Sequence, residues 1–293
     1  MSVLYCQSPA LFWCALALIV CFFVRRGGHR VRAVLDLVLG LLCIVVPNRL
    51  AQTHEQRQML QELKTLYESY GLSVLLDELP RSPVLYSVEL SEDGAQTAAQ
   101  ALLGAKAAPA GESGFESTYE SELGTLHITR TGGFSAVMTG GSRVRSSEKA
   151  AEKLLRAMDF QYQTLTREQT ETGAVQIRTS QTLLGVPVLG SQLALTYTDD
   201  CLTAVEGTFY TGGSSITRVS EQESISAADA LAQLLARRDA LGWVGSAVTG
   251  LTQAYLPSDQ AGTGIRFVPV WLVETDAGSF FINGITREIT AET

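Results

Sequence analysis

Two apolar runs, Ala10 to Val24 and Ala33 to Val46, flank a block holding Arg25, Arg26, His29, Arg30 and Arg32, and no apolar run of that length recurs between residues 51 and 293. Read as helix, Val3 to Val24 spans about 33 Å and Ala33 to Ala51 about 28 Å at roughly 1.5 Å per residue. Both lengths suit a hydrocarbon core of about 30 Å. Residues 1–9 carry no charged side chain and no small-x-small pattern follows Val24, so a cleaved signal peptide is not the expectation. The sequence predicts a membrane anchor over residues 1–51, one or two transmembrane helices with a basic loop at 25–32. Arginines in short loops stay in the cytoplasm, which puts the C-terminal domain in an extracytoplasmic position at the cell membrane. A chain using only the second run reaches the same side.

Charge and cysteine content limit what the outer part can do. Residues 51–293 hold 17 Lys and Arg against 29 Asp and Glu, a net charge of −12. That balance opposes nucleic acid and anionic lipid as partners. Four cysteines, Cys6, Cys14, Cys21 and Cys43, lie in or beside the apolar runs, and Cys201 stands alone downstream. One cysteine makes no internal bridge, so stability is expected from a packed core.

Past the anchor, Met59, Leu60, Leu63, Leu66, Tyr67 and Tyr70 recur at helical steps before Gly71. This predicts an amphipathic stalk helix over 52–71. Leu85 to Leu90 alternates as a strand, Ala95 to Leu103 reads as a short helix, and the small residues of Ala105 to Ser117 read as a loop. Thr125 to Arg130 and Phe134 to Met138, joined through Gly132 and Gly133, predict a hairpin. A helix from Glu148 to Met158 precedes strand-like runs at Gln161 to Thr166, Ala174 to Thr182, Val186 to Thr198 and Leu202 to Tyr210. Another, Ala227 to Ala240, starts on a Ser226 and Asp229 capping pair and precedes runs at Ala247 to Leu256, Ile265 to Glu274 and Ser279 to Ile285.

Helix followed by antiparallel strands, three times over, predicts an α+β class: an N-terminal transmembrane helix or hairpin, then helix-plus-antiparallel-sheet units. The expected units are 72–145 and 146–293.

Catalytic signatures are sparse. His54 and His127 are the two histidines beyond the anchor, neither with a second histidine or cysteine at ligand spacing, so no metal site is expected. His127 alternates with Leu126 and Ile128, which sends it to the solvent face of a strand. Glu112, Glu116, Glu120 and Glu122 crowd a polar stretch whose ordinary role is solubility. No nucleophile-elbow, phosphate-loop or dinucleotide pattern occurs. The expectation is a non-enzyme with no catalytic residue, no cofactor and no metal.

The stretch Ile177-Arg-Thr-Ser-Gln181-Thr-Leu-Leu-Gly185-Val-Pro187-Val-Leu-Gly190-Ser-Gln-Leu193, closing with Leu202 to Gly207, resembles the propeptide module of thermolysin-like peptidases. Val268-Pro-Val-Trp271-Leu-Val, followed by Phe280-Phe-Ile-Asn283-Gly284-Ile-Thr-Arg-Glu, is similar to a PepSY repeat. As a whole the chain resembles the YycI and YycH type regulators of Gram-positive bacteria over roughly residues 31–287. That resemblance implies a membrane-anchored extracytoplasmic regulator of a sensor histidine kinase in a two-component system linked to cell-wall metabolism. It leaves a homo- or hetero-dimer open. The propeptide-like stretch implies an alternative, an inhibitor or chaperone acting in trans on a secreted metallopeptidase.

Overall fold

The computed structural model describes residues 54–80, 83–90, 94–113, 115–139, 144–213, 215–260 and 264–292. Met1–Gln61 and Glu62–Thr293 form separate compact units, and of the first only residues 54–61 are described.

Helix α1 (residues 54–69) ends where Gly71 N–H donates to the Glu68 carbonyl and Leu72 N–H to that of Tyr67, each at 3.0 Å. These paired bonds satisfy the last carbonyls of a helix. Leu63 and Tyr67, four residues apart, are buried, and the Tyr67 hydroxyl donates to the Leu231 carbonyl at 2.8 Å. Leu66 and Tyr70 repeat that spacing on the neighbouring stripe and are exposed.

Strands β1 (Ser73–Val74) and β2 (Val88–Leu90) precede helix α2 (Gly94–Leu103) and a meander of β3 (Ala108–Ser113), β4 (Glu116–Ser121), β5 (Gly124–Thr129) and β6 (Gly133–Met138). Helix α3 (Glu148–Ala157) leads a second meander of β7 (Thr166–Gln169), β8 (Val175–Leu183), β9 (Val186–Thr198) and β10 (Cys201–Thr208). After β11 (Ile216–Arg218), helix α4 (Ala227–Ala236) and the short α5 (Arg238–Leu241) lead a third: β12 (Ala247–Gln260), β13 (Gly264–Thr275), β14 (Gly278–Asn283) and β15 (Ile289–Ala291).

The first two meanders meet at their last strands, β6 lying antiparallel to β10 with Ala136 opposite Val205. Helices α2 and α3 both cover the face behind that seam. Ala98, Leu102 and Leu103 from α2 and Leu154, Leu155 and Met158 from α3 share one core with Leu126 and Leu193. Alternation along β5 explains the pattern, since Leu126 and Ile128 turn inward while His127 faces solvent. In the third meander the Trp271 indole N–H donates to the Ile225 carbonyl at 3.0 Å, tying β13 to the segment that enters α4. Strand β1 runs parallel beside β12, while β2 and β11 extend the far end of β13.

These pairings correct the expected class. Strands make up 45% of the described residues and hydrogen-bond into one curled, half-barrel sheet of 15 strands, so the described part is mostly β. The physical reason is strand length: β9, β12 and β13 run 13, 14 and 12 residues, far beyond what helices of 10 residues cover. Strand β9 passes from one meander to the next, with Val188 lying parallel to Tyr255 of β12.

No described helix is long and apolar enough to cross a membrane; residues 54–69 would span only about 24 Å. The expected transmembrane helix or hairpin and its basic loop, residues 1–51, lie outside the described residues.

Two local expectations also change. The stretch 105–117 is strand from Ala108, paired along β4 as an edge. It reads as loop because all six residues of β3 are exposed, so alternation has no core side to mark. The run from Gln161 becomes strand only at Thr166.

Candidate binding site

The expected solvent-face histidine and one of the clustered glutamates come together. His127 Nδ1 lies 3.1 Å from Glu116 Oε1 and 3.0 Å from Thr118 Oγ1, across the β4–β5 ladder. Both contacts use the same ring nitrogen, whereas base catalysis by a histidine needs the acid on one nitrogen and the nucleophile on the other. The side chains of His127 and Glu116 are each about half exposed, so the arrangement is a surface cross-strand pair. Glu112 stands on β3 opposite Ser117, Glu120 on β4 opposite Thr125, and Glu122 in the turn after β4. His54 is an exposed residue of α1, and Cys201 is half-buried at the start of β10, bridged to Arg145. Among the described residues no group of three metal-binding side chains forms.

The propeptide-like stretch forms the β8–β9 hairpin. Pairing runs from Leu183 opposite Val186 to Thr182 opposite Pro187, then jumps to Ser180 opposite Gln192. Gln181, fully buried, fills the resulting bulge. Its side-chain amide donates to the Tyr210 carbonyl at 2.7 Å, and its carbonyl oxygen accepts from Tyr210 N–H at 3.1 Å. The Ser191 hydroxyl reaches the same oxygen at 3.0 Å and the Thr208 carbonyl at 2.8 Å. The motif's glutamine is a brace that locks the end of β10 onto the bulge.

Two-residue turns close both ends of β9. Asp199 and Asp200 have φ of 52° and 61°, and Leu184 and Gly185 have φ of 53° and 79°. Positive φ at both central positions is the hairpin turn that matches strand twist, and it favours Asn, Asp and Gly. The Asp pair obeys this rule, and Gly185 does so without a Cβ to clash. Leu184 breaks it and is also 54% exposed.

Each turn sits at one end of α3. Asp200 accepts hydrogen bonds from Ser146 N–H at 3.0 Å and from Arg145 at 3.0 Å, just before the Ser147 N-cap of α3. The Ser146 hydroxyl and amide, then Arg145, hold the Asp200 carboxyl below its ordinary value. At the other end of α3, Asp159 takes φ of 61° and the chain turns into residues 160–163. There a cleft of about 620 Å³ opens between α3, residues 159–163 and the tip of the β8–β9 hairpin.

Glu152 and Arg156, one turn apart on α3, line the cleft, together with Tyr162 and Gly185. Partial burial, followed by the Glu152 carboxylate, pushes the Tyr162 phenol up, while the Arg156 guanidinium pulls it down. Both charges therefore act on the same hydroxyl. Gln163 closes one edge by donating to the Gly185 carbonyl at 3.2 Å. The cleft is open, and its lining mixes charged and amide side chains with the rings of Phe160 and Tyr162, an arrangement suited to a contact surface. Its signal in the sequence is a Leu-Gly pair where a two-residue turn calls for Asn-Gly or Asp-Gly.

No protein-family pattern and no curated sequence matches this chain. Among solved structures, an uncharacterized protein from Eubacterium rectale is similar at 10% identity and a TM-score of 0.45, over 76% of this chain and 90% of that one. A PepSY-related structure, the Bacillus megaterium YpeB C-terminal domain, is similar at 14% identity and a TM-score of 0.32, over 70% of this chain and 99% of the other.

Proposed function

We propose that this chain is a membrane-anchored, non-catalytic extracytoplasmic regulator, and that it tunes a sensor histidine kinase of a two-component system through helix contacts close to the membrane. The observation that carries this reading is the split apolar character of α1. One stripe, Leu63 and Tyr67, is spent on the sheet domain, and the adjacent stripe, Leu66 and Tyr70, faces outward. That helix directly follows the segment holding the two apolar runs, so its open stripe is placed for a membrane-proximal helix of a partner. The resemblance of the chain to YycI and YycH type regulators supplies the kinase and the link to cell-wall metabolism.

Photo-reactive residues placed at Leu66 and Tyr70 of the full chain in its own membrane test the reading. Cross-links to a sensor kinase, lost on Leu66→Glu, are expected, together with altered kinase phosphorylation. Cross-linking that never reaches a kinase, or a kinase whose phosphorylation ignores deletion of the chain, overturns it.

A second reading rests on the β8–β9 hairpin, which carries the propeptide-like sequence around a buried glutamine. In that reading the domain inhibits or chaperones a secreted metallopeptidase in trans. The full chain then slows a thermolysin-like enzyme in a stoichiometric assay, and unchanged turnover at excess chain removes it.

A further inference from the structure

We propose that the cleft beside the β8–β9 hairpin is the meeting surface of two copies of this chain, each setting Leu184 against the cleft of the other. Three observations point to a second copy as the occupant.

Leu184 is misplaced twice over for a solitary surface. A branched apolar side chain at positive φ is an outlier, and more than half of this one is in water. The other turn of the same strand uses Asp199 and Asp200, which tolerate that backbone and that solvent. Backbone strain of this kind clusters at clamps and binding surfaces.

Knob and hole also lie side by side, because Gly185, the next residue, lines the cleft. A two-fold interface uses one patch twice and must be complementary to itself. An apolar projection adjoining a recess whose lining includes the rings of Phe160 and Tyr162 meets that condition without any second surface.

Charge completes the match. Among the described residues, neither the Glu152 carboxylate nor the Arg156 guanidinium enters an ion pair or hydrogen bond, although both line the cleft one helical turn apart. Laid antiparallel about a two-fold axis, two copies of α3 bring each Glu152 opposite the partner copy's Arg156 and form two ion pairs at once. The open mouth argues in the same direction. A small ligand buries most of its surface in an enclosed pocket, whereas an open cleft needs a macromolecular surface to close it, and the net charge of −12 on residues 51–293 opposes nucleic acid.

The test measures self-association of the full chain in lipid nanodiscs or micelles, as wild type, E152R, R156E, an equal mixture of those two variants, and L184N. Wild type self-associates. Each single reversal puts like charges across the axis and weakens association by about tenfold or more, while the mixture recovers it, because one variant presents two arginines and the other two glutamates. L184N keeps or raises the thermal midpoint, since Asn accepts positive φ, yet lowers association. A monomeric wild type, a mixture no tighter than its components, or an L184N chain that associates as wild type each overturns the proposal. So does cleft protection that appears only when a peptidase or kinase domain is added. The outcome is independent of whether a kinase is the regulated partner.

Discussion

A single buried amide decides the geometry of the β8–β9 corner. Gln181 satisfies both backbone groups of Tyr210, and orphaning such groups costs about 1–3 kcal/mol each. Gln181→Leu keeps most of the volume but leaves Tyr210 N–H and its carbonyl without partners, so unfolding stability in urea is expected to fall by about 2–4 kcal/mol. Ser180→Ala, an exposed neighbour, is expected to stay within about 0.5 kcal/mol. Equal midpoints for Gln181→Leu and wild type would refute the bracing role. The sequence showed that Gln181 belonged to a motif but not what it touched, because Tyr210 lies 29 residues away and meets it only when β10 closes on the bulge.

Short-range rules govern the elements well where both ends of a rule lie within a few residues. Ser226 and Asp229 form the expected reciprocal cap, the Ser226 hydroxyl accepting from Asp229 N–H at 3.2 Å. Ser226→Ala is expected to cost about 1 kcal/mol, read as a lower thermal midpoint, and Ser226→Asp is expected to restore most of it. The same logic set the ends of α3 and the exact span of β9. It failed along Ala227 to Ala240, where the helix breaks at Arg237, whose φ of −108° leaves the helical region. It failed again at β3, whose strand character comes wholly from pairing with β4.

At the scale of the molecule, buried phenols link stability to pH. Desolvation pushes Tyr197 and Tyr255 up to about 12 and Tyr67 higher still. The unfolded chain ionises these groups near 10, so their contribution is complete below that pH and is lost as pH rises through the folded values. Thermal midpoints should therefore drop steeply between about pH 10 and 12, with phenolate absorbance appearing together with unfolding. Phenolate signal from a still-folded chain, accounting for these three residues, would contradict their burial.

What the amino-acid order settled alone was local: the periodicity of α1, the cap of α4, the hairpin around Gly132, and the inward side of β5, each decided by contacts a few positions apart. Only the tertiary structure decided that three helix-and-meander segments share one 15-stranded sheet, that β9 bridges two of them through Val188 and Tyr255, and that Glu152, Arg156, Tyr162 and Gly185 gather around one cleft. Ladder hydrogen bonds join any two strands with the same backbone groups, so which edges meet depends on how long strands twist and where their covering helices stop, and no window of neighbouring residues contains that information.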